Sequence, residues 1–185
     1  PNVLEGIREG VQRTTRIVRD LRTFSRLDRA EISEVSLSEG LDCTLNLLRG
    51  RLREIEVVRE FTELRPVACY AGQLNQVFMN LITNAADAVD SLGVAGRIVV
   101  RTGSSGENRV FIEVEHNGRG IDPELRDKIF DPFFSTKTSR KGAGLGLAIS
   151  QSIVERHGGR LTLESEPGKH TRARVEIPLQ LAPSA

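Results

Sequence analysis

Residues 116 to 146 break every hydrophobic period in a chain that is otherwise strongly periodic, and this interruption limits the folds open to it. The stretch is rich in Gly, Pro, Ser and Lys. A loop of that length inside a compact domain is usually functional, so the flanking segments must supply the frame. Upstream, Ser36 with Glu39 three residues on reads as a helix start, and Leu37, Leu41, Leu45 and Leu48 share one face of that helix. Strand-like runs follow at 55–61 and 67–70, then a helix over about 71–92. Residues 98–102 and 110–114 alternate apolar and polar, as half-buried strands do. Downstream, a helix over 147–157 stops at Gly158-Gly159, and 161–164 and 173–177 alternate again. The order α, β, α, β, β, loop, α, β, β predicts an α+β fold. Its form is a two-layer α/β sandwich, with a mixed, largely antiparallel sheet covered by helices on one face.

A separate element precedes this frame. In residues 3 to 29 the positions Leu4, Ile7, Val11, Thr14, Val18 and Leu21 step by three and four, and Ile17 and Phe24 widen the seam. The opposite face is crowded with Arg and Glu, so such a helix needs a partner for its stripe. A helix in a dimeric bundle is expected; packing on its own domain is the alternative. The division is 1–30 for this helix, 31–36 for a connection and 37–182 for the globular domain. The net charge of +1 gives no reason to expect nucleic acid or membrane as the main partner. There is no long apolar run and no secretory leader pattern. The chain begins Pro-Asn-Val, so it is read as a fragment whose missing part can hold a membrane anchor. Cys43 and Cys69 are isolated and are expected reduced and buried, in a cytoplasmic protein. The three His form no ligand pair, which argues against zinc.

Three constellations carry chemistry. On the helix over 71–92, Leu74, Val77, Phe78, Leu81, Ala85 and Ala88 make a buried stripe, and Gln76, Asn80, Asn84 and Asp87 make a polar stripe beside it. Asn80 and Asn84 are poor helix formers for an interior turn. Their carbonyl oxygens suit Mg²⁺, though spacing alone also fits a polar rim. Next, His116-Asn117-Gly118-Arg119-Gly120-Ile121 leaves a strand with two alternate glycines, which permit a sharp turn and close backbone approach to a flat ligand. Last, Gly142-Ala143-Gly144-Leu145-Gly146-Leu147 runs straight into a helix, where free N–H groups and the dipole face an anion such as phosphate. A flexible hinge is the plainer reading of these glycines. Between the second and third lie Phe130, Phe133 and Phe134, three of seven Phe within five residues, as expected of a lid anchor. Lys137 or Lys141 beside them is placed to meet a phosphate.

Taken in order, these segments resemble the four boxes of the histidine kinase catalytic domain. Residues 76–89 (QVFMNLITNAADAV) look like the N box, 116–121 the G1 box, 130–137 the F box and 142–147 (GAGLGL) the G2 box. Pro167-Gly168 and residues 171–178 resemble the terminal hairpin. The resemblance covers residues 37–180 and implies the sandwich shared with gyrase, heat-shock chaperone and mismatch-repair ATPases. It implies an enzyme of two-component signalling that uses ATP and Mg²⁺. The metal would lie on Asn84 with Asn80 close by, and catalysis would draw on Asn80, Asn84 and Lys137. The nucleotide contacts it implies are Asn84 and Asp87 from the N box, and His116, Gly118, Gly120 and Ile121 from the G1 box. Phe130 and Lys137 join from the F box, and Gly142, Gly144, Leu145, Gly146 and Leu147 from a mobile lid. Residues 16–25 resemble the second helix of the dimerisation hairpin, which implies a homodimer and a response regulator as partners.

Two departures stand out. No phosphoacceptor His is present, and in the family it lies on a helix that would precede residue 1, so the fragment is not expected to phosphorylate itself. His157, followed by Gly-Gly, is read as a favourable charge at a helix C-terminus. His116 stands where the family has Asp, whose carboxylate accepts from the adenine amino group; a neutral imidazole offers one acceptor and an imidazolium none. Weakened or re-tuned adenine binding is therefore expected, and a nucleotide-impaired scaffold is the alternative to an active kinase. The resemblance favours phosphotransfer over hydrolysis at Asn80, where the hydrolytic relatives carry Glu.

Overall fold

The computed structural model describes residues 31–90, 95–135 and 144–181, so the heptad segment 1–30, the end of the second helical pattern, Lys137, Lys141 and Gly142 lie outside the described residues. The elements are β1 (Ser33–Val35), α1 (Leu37–Leu47), β2 (Ile55–Phe61), β3 (Val67–Cys69), α2 (Ala71–Asp90), β4 (Gly96–Ser104), β5 (Arg109–His116), α3 (Gly146–Arg156), β6 (Arg160–Glu166) and β7 (His170–Pro178). A single 3₁₀ turn, Pro123–Leu125, interrupts the loop between β5 and α3.

Five strands form one mixed sheet in the order β2-β4-β5-β7-β6, in which only the β2–β4 pair is parallel. The stretch read as a connection instead contains β1, which pairs antiparallel with β3 in a small second sheet. Three residues are too few for periodicity to reveal a strand. The strands of the main sheet also run past the alternating cores seen in the sequence, because ladder hydrogen bonds continue where side chains stop alternating.

One face of the sheet carries the core. Ile98 and Val100 on β4, Val110, Ile112 and Val114 on β5, and Ala173, Val175 and Ile177 on β7 are all buried against the helices. Leu37, Leu41 and Leu45 of α1 and Leu74, Val77, Phe78 and Leu81 of α2 complete it. Ser36 accepts a hydrogen bond from the Glu39 N–H at 3.4 Å, the N-cap expected for α1.

The other face is ionic. Glu113, whose side chain is only 7% exposed, meets Arg101 at 3.0 Å, Arg172 at 3.4 Å and Arg174 at 3.4 Å. Glu115 joins Arg101 at 2.9 Å and Arg172 at 2.8 Å, and Glu60 and Glu176 take the outer arginine nitrogens. Phe111 lies across Gly103 on this face and under the Arg174 guanidinium, 3.9 Å from the ring centroid.

Helix α3 is fixed to α2 at both ends. Near its start, the Asn80 amide donates to the Gly146 carbonyl at 3.1 Å and to Ser150 Oγ at 3.2 Å. At its end, His157 Nε2 accepts from the Tyr70 N–H at 3.2 Å while Nδ1 lies 2.7 Å from the Ile153 carbonyl, which only a neutral, Nδ1-protonated ring satisfies. His157 is therefore not a helix-terminal charge. Burial holds its pKa below the ordinary value, more than the Ile153 carbonyl raises it. Cys69 is buried with its thiol pushed up to about 11 by desolvation, whereas Cys43 is exposed, against expectation, on the outer side of α1. His157→Ala removes both bonds and opens a cavity at a side chain 1% exposed. It is expected to cost about 2–4 kcal/mol, measured as a lower urea midpoint at unchanged slope.

Candidate nucleotide site

The helices and the sheet part around one large cavity of about 1110 Å³, ample for a nucleotide. Its α2 wall presents Asn80, Asn84 and Asp87. The strand exit adds His116, Gly120 and Ile121, and the α3 start adds Gly144, Leu145, Gly146 and Leu147. These segments lie far apart in sequence, and the fold brings them onto one surface.

The joint between α2 and the β5 exit depends on a missing side chain. A Cβ on Gly118 would stand 2.8 Å from the Ala88 carbonyl carbon and oxygen and 2.7 Å from His116 Nδ1. The Gly118 N–H donates to that Nδ1 at 3.0 Å. Asn117 fastens the same turn to the start of β4, accepting from Arg97 N–H at 2.7 Å and donating to the Ala95 carbonyl at 3.0 Å. Ile121 N–H is held by Ser165 Oγ at 2.8 Å. At the other end, Gly144 has φ +72°, and a Cβ there would collide with the backbone of Phe133 and Phe134. Phe133, itself at φ 69°, donates its N–H to the Gly144 carbonyl at 2.9 Å. Left-handed backbone at a non-glycine residue is costly, and it persists here at the edge of the site. Helix α3 begins without a side-chain cap, which leaves its first N–H groups without a side-chain partner, and Gly146 and Leu147 of its first turn line the cavity.

Two expected contacts fall elsewhere. Gly118 is not on the cavity wall; it positions His116. Phe130 packs against the core instead, and the loop's contribution to the wall is Ile129 and Phe134. Sequence reasoning missed Arg51, which pairs with the buried Asp87 carboxylate across 36 residues and lines the same cavity. Thr171, Ala173 and Leu163 were read as strand residues only, yet their inward faces floor the site.

His116 is buried, and its pKa is lowered to about 4, first by desolvation and then by His170, with Glu115 opposing. The one acceptor nitrogen expected of a neutral ring is already taken by Gly118.

This chain belongs to the family of histidine kinase-, DNA gyrase B- and HSP90-like ATPases, whose model matches residues 70–181. It is 35% identical over 167 residues to the signal transduction histidine-protein kinase AtoS of Escherichia coli K12, covering 89% of this chain. It spans only 27% of that curated relative's length. Among solved structures, the nucleotide-free catalytic domain of histidine kinase ThkA superposes with a TM-score of 0.72 at 31% identity, covering 81% of this chain and 97% of that one. ThkA in complex with response regulator protein TrrA gives 0.74 at 28%, covering 93% and 49%. Full-length ShkA in complex with AMPPNP gives 0.81 at 26%, covering 98% and 39%. The described domain is thus an ATP-binding catalytic domain of the sensor histidine kinase type.

A group whose folded pKa is depressed stabilises the fold above its unfolded pKa and loses that contribution as pH falls. For His116 the window runs from the reference 6.5 down to about 4. The loss is on the order of 3 kcal/mol at most. Urea melts at pH 7 and pH 4.5 are expected to show a larger drop for the native chain than for His116→Gln. Gly118→Ala is expected to destabilise by about 1–3 kcal/mol through the Ala88 clash. The same melts check this, with Gly50→Ala, where an added Cβ meets nothing within 4 Å, as the comparison without a clash.

Proposed function

We propose that this chain transfers the γ-phosphoryl group of Mg²⁺–ATP to a histidine on a helical hairpin, for onward transfer to a response regulator. The observation that carries the proposal is the single cavity that joins the Asn-bearing face of α2, the uncapped start of α3 and an apolar floor at Val114, Ala173 and Leu163. Phosphates fit the first two and a base the third.

The residues present suit the metal. Asn80 spends its amide nitrogen on Gly146 and Ser150, which leaves Oδ1 as its free-standing acceptor type, and Asn84 offers the same carbonyl chemistry one turn on. Among the described residues no cluster of three His, Cys, Asp or Glu is present, so the cation would rest on amide oxygen, phosphate and water, as Mg²⁺ prefers. When bound, it would neutralise charge on the triphosphate. The N–H groups at the start of α3 hold phosphate charge and orient the terminal group for in-line attack. Lys137 and Gly142 belong to the same proposal by position in the F and G2 boxes.

At Asn80 and Asn84 the wall of α2 offers amides, which cannot take a proton from water, and the Asp87 carboxylate on the same wall is paired with Arg51. A neutral imidazole needs none, since its ring nitrogen attacks with its own lone pair. Phosphotransfer to histidine therefore suits this wall better than activation of water. Dimerisation through residues 1–30, a cytoplasmic setting and a response regulator partner follow from the same reading. Among the described residues no helix is long and apolar enough to cross a membrane.

The test is transfer of label from γ-labelled ATP with Mg²⁺ to a supplied hairpin carrying a histidine. An acid-labile, alkali-stable label is expected on the hairpin; release of inorganic phosphate without labelling would overturn the proposal. Asn84→Ala is expected to lower the transfer rate at least a hundredfold while circular dichroism stays unchanged.

A further inference from the structure

We infer that Arg51 is a nucleotide-binding residue of this cavity, its guanidinium held by Asp87 and presented to the ribose-proximal phosphates. This rests on the nucleotide-binding reading above.

The pair is anchored at both ends. Arg51 sits just past α1, where its N–H donates to the Leu48 carbonyl at 2.8 Å and the next side chain, Leu52, is buried. From there the side chain reaches across to α2, and Nη2 pairs with the Asp87 carboxylate. The Asp87 side chain is 2% exposed, whereas that of Arg51 is 40% exposed and lines the cavity. Among the described residues Nε and Nη1 of Arg51 have no partner. A guanidinium can hold two anions at once through its planar fork, and phosphate is a favoured second one. The ordering of this long side chain is therefore complete before a ligand arrives, which lowers the cost of binding.

The level of the pair on α2 decides which part of a nucleotide it meets. Asn80 is joined to Gly146 at the α3 start, where the terminal phosphates belong. Ala88, about 12 Å farther along the helix axis, lies against the Gly118 turn beside His116, at the base end. Asp87 adjoins Ala88, and helical side chains lean toward the helix N-terminus. The carboxylate thus carries the guanidinium back from the base toward Asn84. That is the level of the ribose and the first two phosphates, short of the group that is transferred.

Charge points the same way. Mg²⁺–ATP is still an anion. Among the described residues the cavity wall carries no lysine, and its arginines are Arg51 and Arg119. His116 accepts at Nδ1 from Gly118 and so is neutral. Arg119 rises from the turn after β5, and Arg51 stands across from it on the α2 side.

Loss of a charge-assisted bond to phosphate is worth about tenfold in affinity. The experiment is calorimetric titration of Mg²⁺–ATP and Mg²⁺–ADP into the whole chain, Arg51→Gln and Arg51→Lys, with circular dichroism on each variant. Arg51→Gln is expected to bind both nucleotides about tenfold more weakly, by the same factor. The gap is expected to narrow to about threefold when KCl is raised from about 0.05 M to about 0.5 M, because salt screens an exposed charge contact. Arg51→Lys keeps the charge but loses the fork, and is expected to fall about threefold for both. It carries the test alone if the glutamine variant fails to fold, and affinity equal to the native chain then overturns the inference. No loss in Arg51→Gln, a loss that salt leaves unchanged, or a loss confined to ATP also overturns it. The first two reduce Arg51 to a structural partner of Asp87, and the last moves it to the terminal phosphate. The expected binding order without label transfer to the hairpin would remove the kinase reading and leave Arg51 in place. Binding of neither nucleotide by the native chain overturns both.

Discussion

The site depends on one backbone contact, where the exit of β5 passes beneath the last turns of α2. The Gly118 Cα sits so close to the Ala88 carbonyl that no side chain fits between them. That approach brings the Asn- and Asp-bearing face of α2 alongside the His116 turn, and it orients the His116 ring through the Gly118 N–H. The rest of the cavity is arranged around this joint. The start of α3 is brought in by Asn80, and the floor is the part of β5 and β7 that α2 leaves uncovered.

Helix α2 thus has two duties on adjacent faces. Leu74, Val77, Phe78 and Leu81 hold it in the core, while Asn80, Asn84 and Asp87 look into the site. The Asn80 amide links the duties, because the group that resembles a metal ligand also anchors the phosphate-facing helix. His157 does the same work at the other end of α3 without touching the cavity. Two side-chain bonds about a helix length apart set the angle at which the α3 N–H groups face a ligand. A substitution at either end therefore reaches the site through geometry rather than through contact.

The sandwich was legible in the sequence because its strands and helices are amphipathic and its loop is not. The order of the four boxes carried the family as well. What could not be read was pairing across distance. Arg51 meets Asp87 from another segment, and no period announces it. β1 is too short to alternate. Cys43 was expected inside, yet it falls on the solvent side of α1, which only the helix's final rotation decides. Phe130 and Phe134 stand four apart in an irregular loop, so their exchange of roles, core for the first and cavity for the second, had no signature. His157 was misread for a physical reason. A histidine after a helix is a favourable charge only when water reaches it, and this one is sealed beneath Tyr70.

The ionic face of the sheet has the layout of a hub with spokes. Glu113 stands at the centre, nearly closed off from water, with Arg101, Arg172 and Arg174 converging on it from the two neighbouring strands. Each arginine has a second carboxylate to turn to, among Glu60, Glu115, Glu164 and Glu176. Loss of one rim carboxylate leaves its arginine still paired, and drift at those positions goes largely unnoticed. Loss of the hub strands three like charges together. Tolerance to change on this surface is therefore graded by connectivity, with a single position that natural variation must leave acidic for the others to remain free to vary.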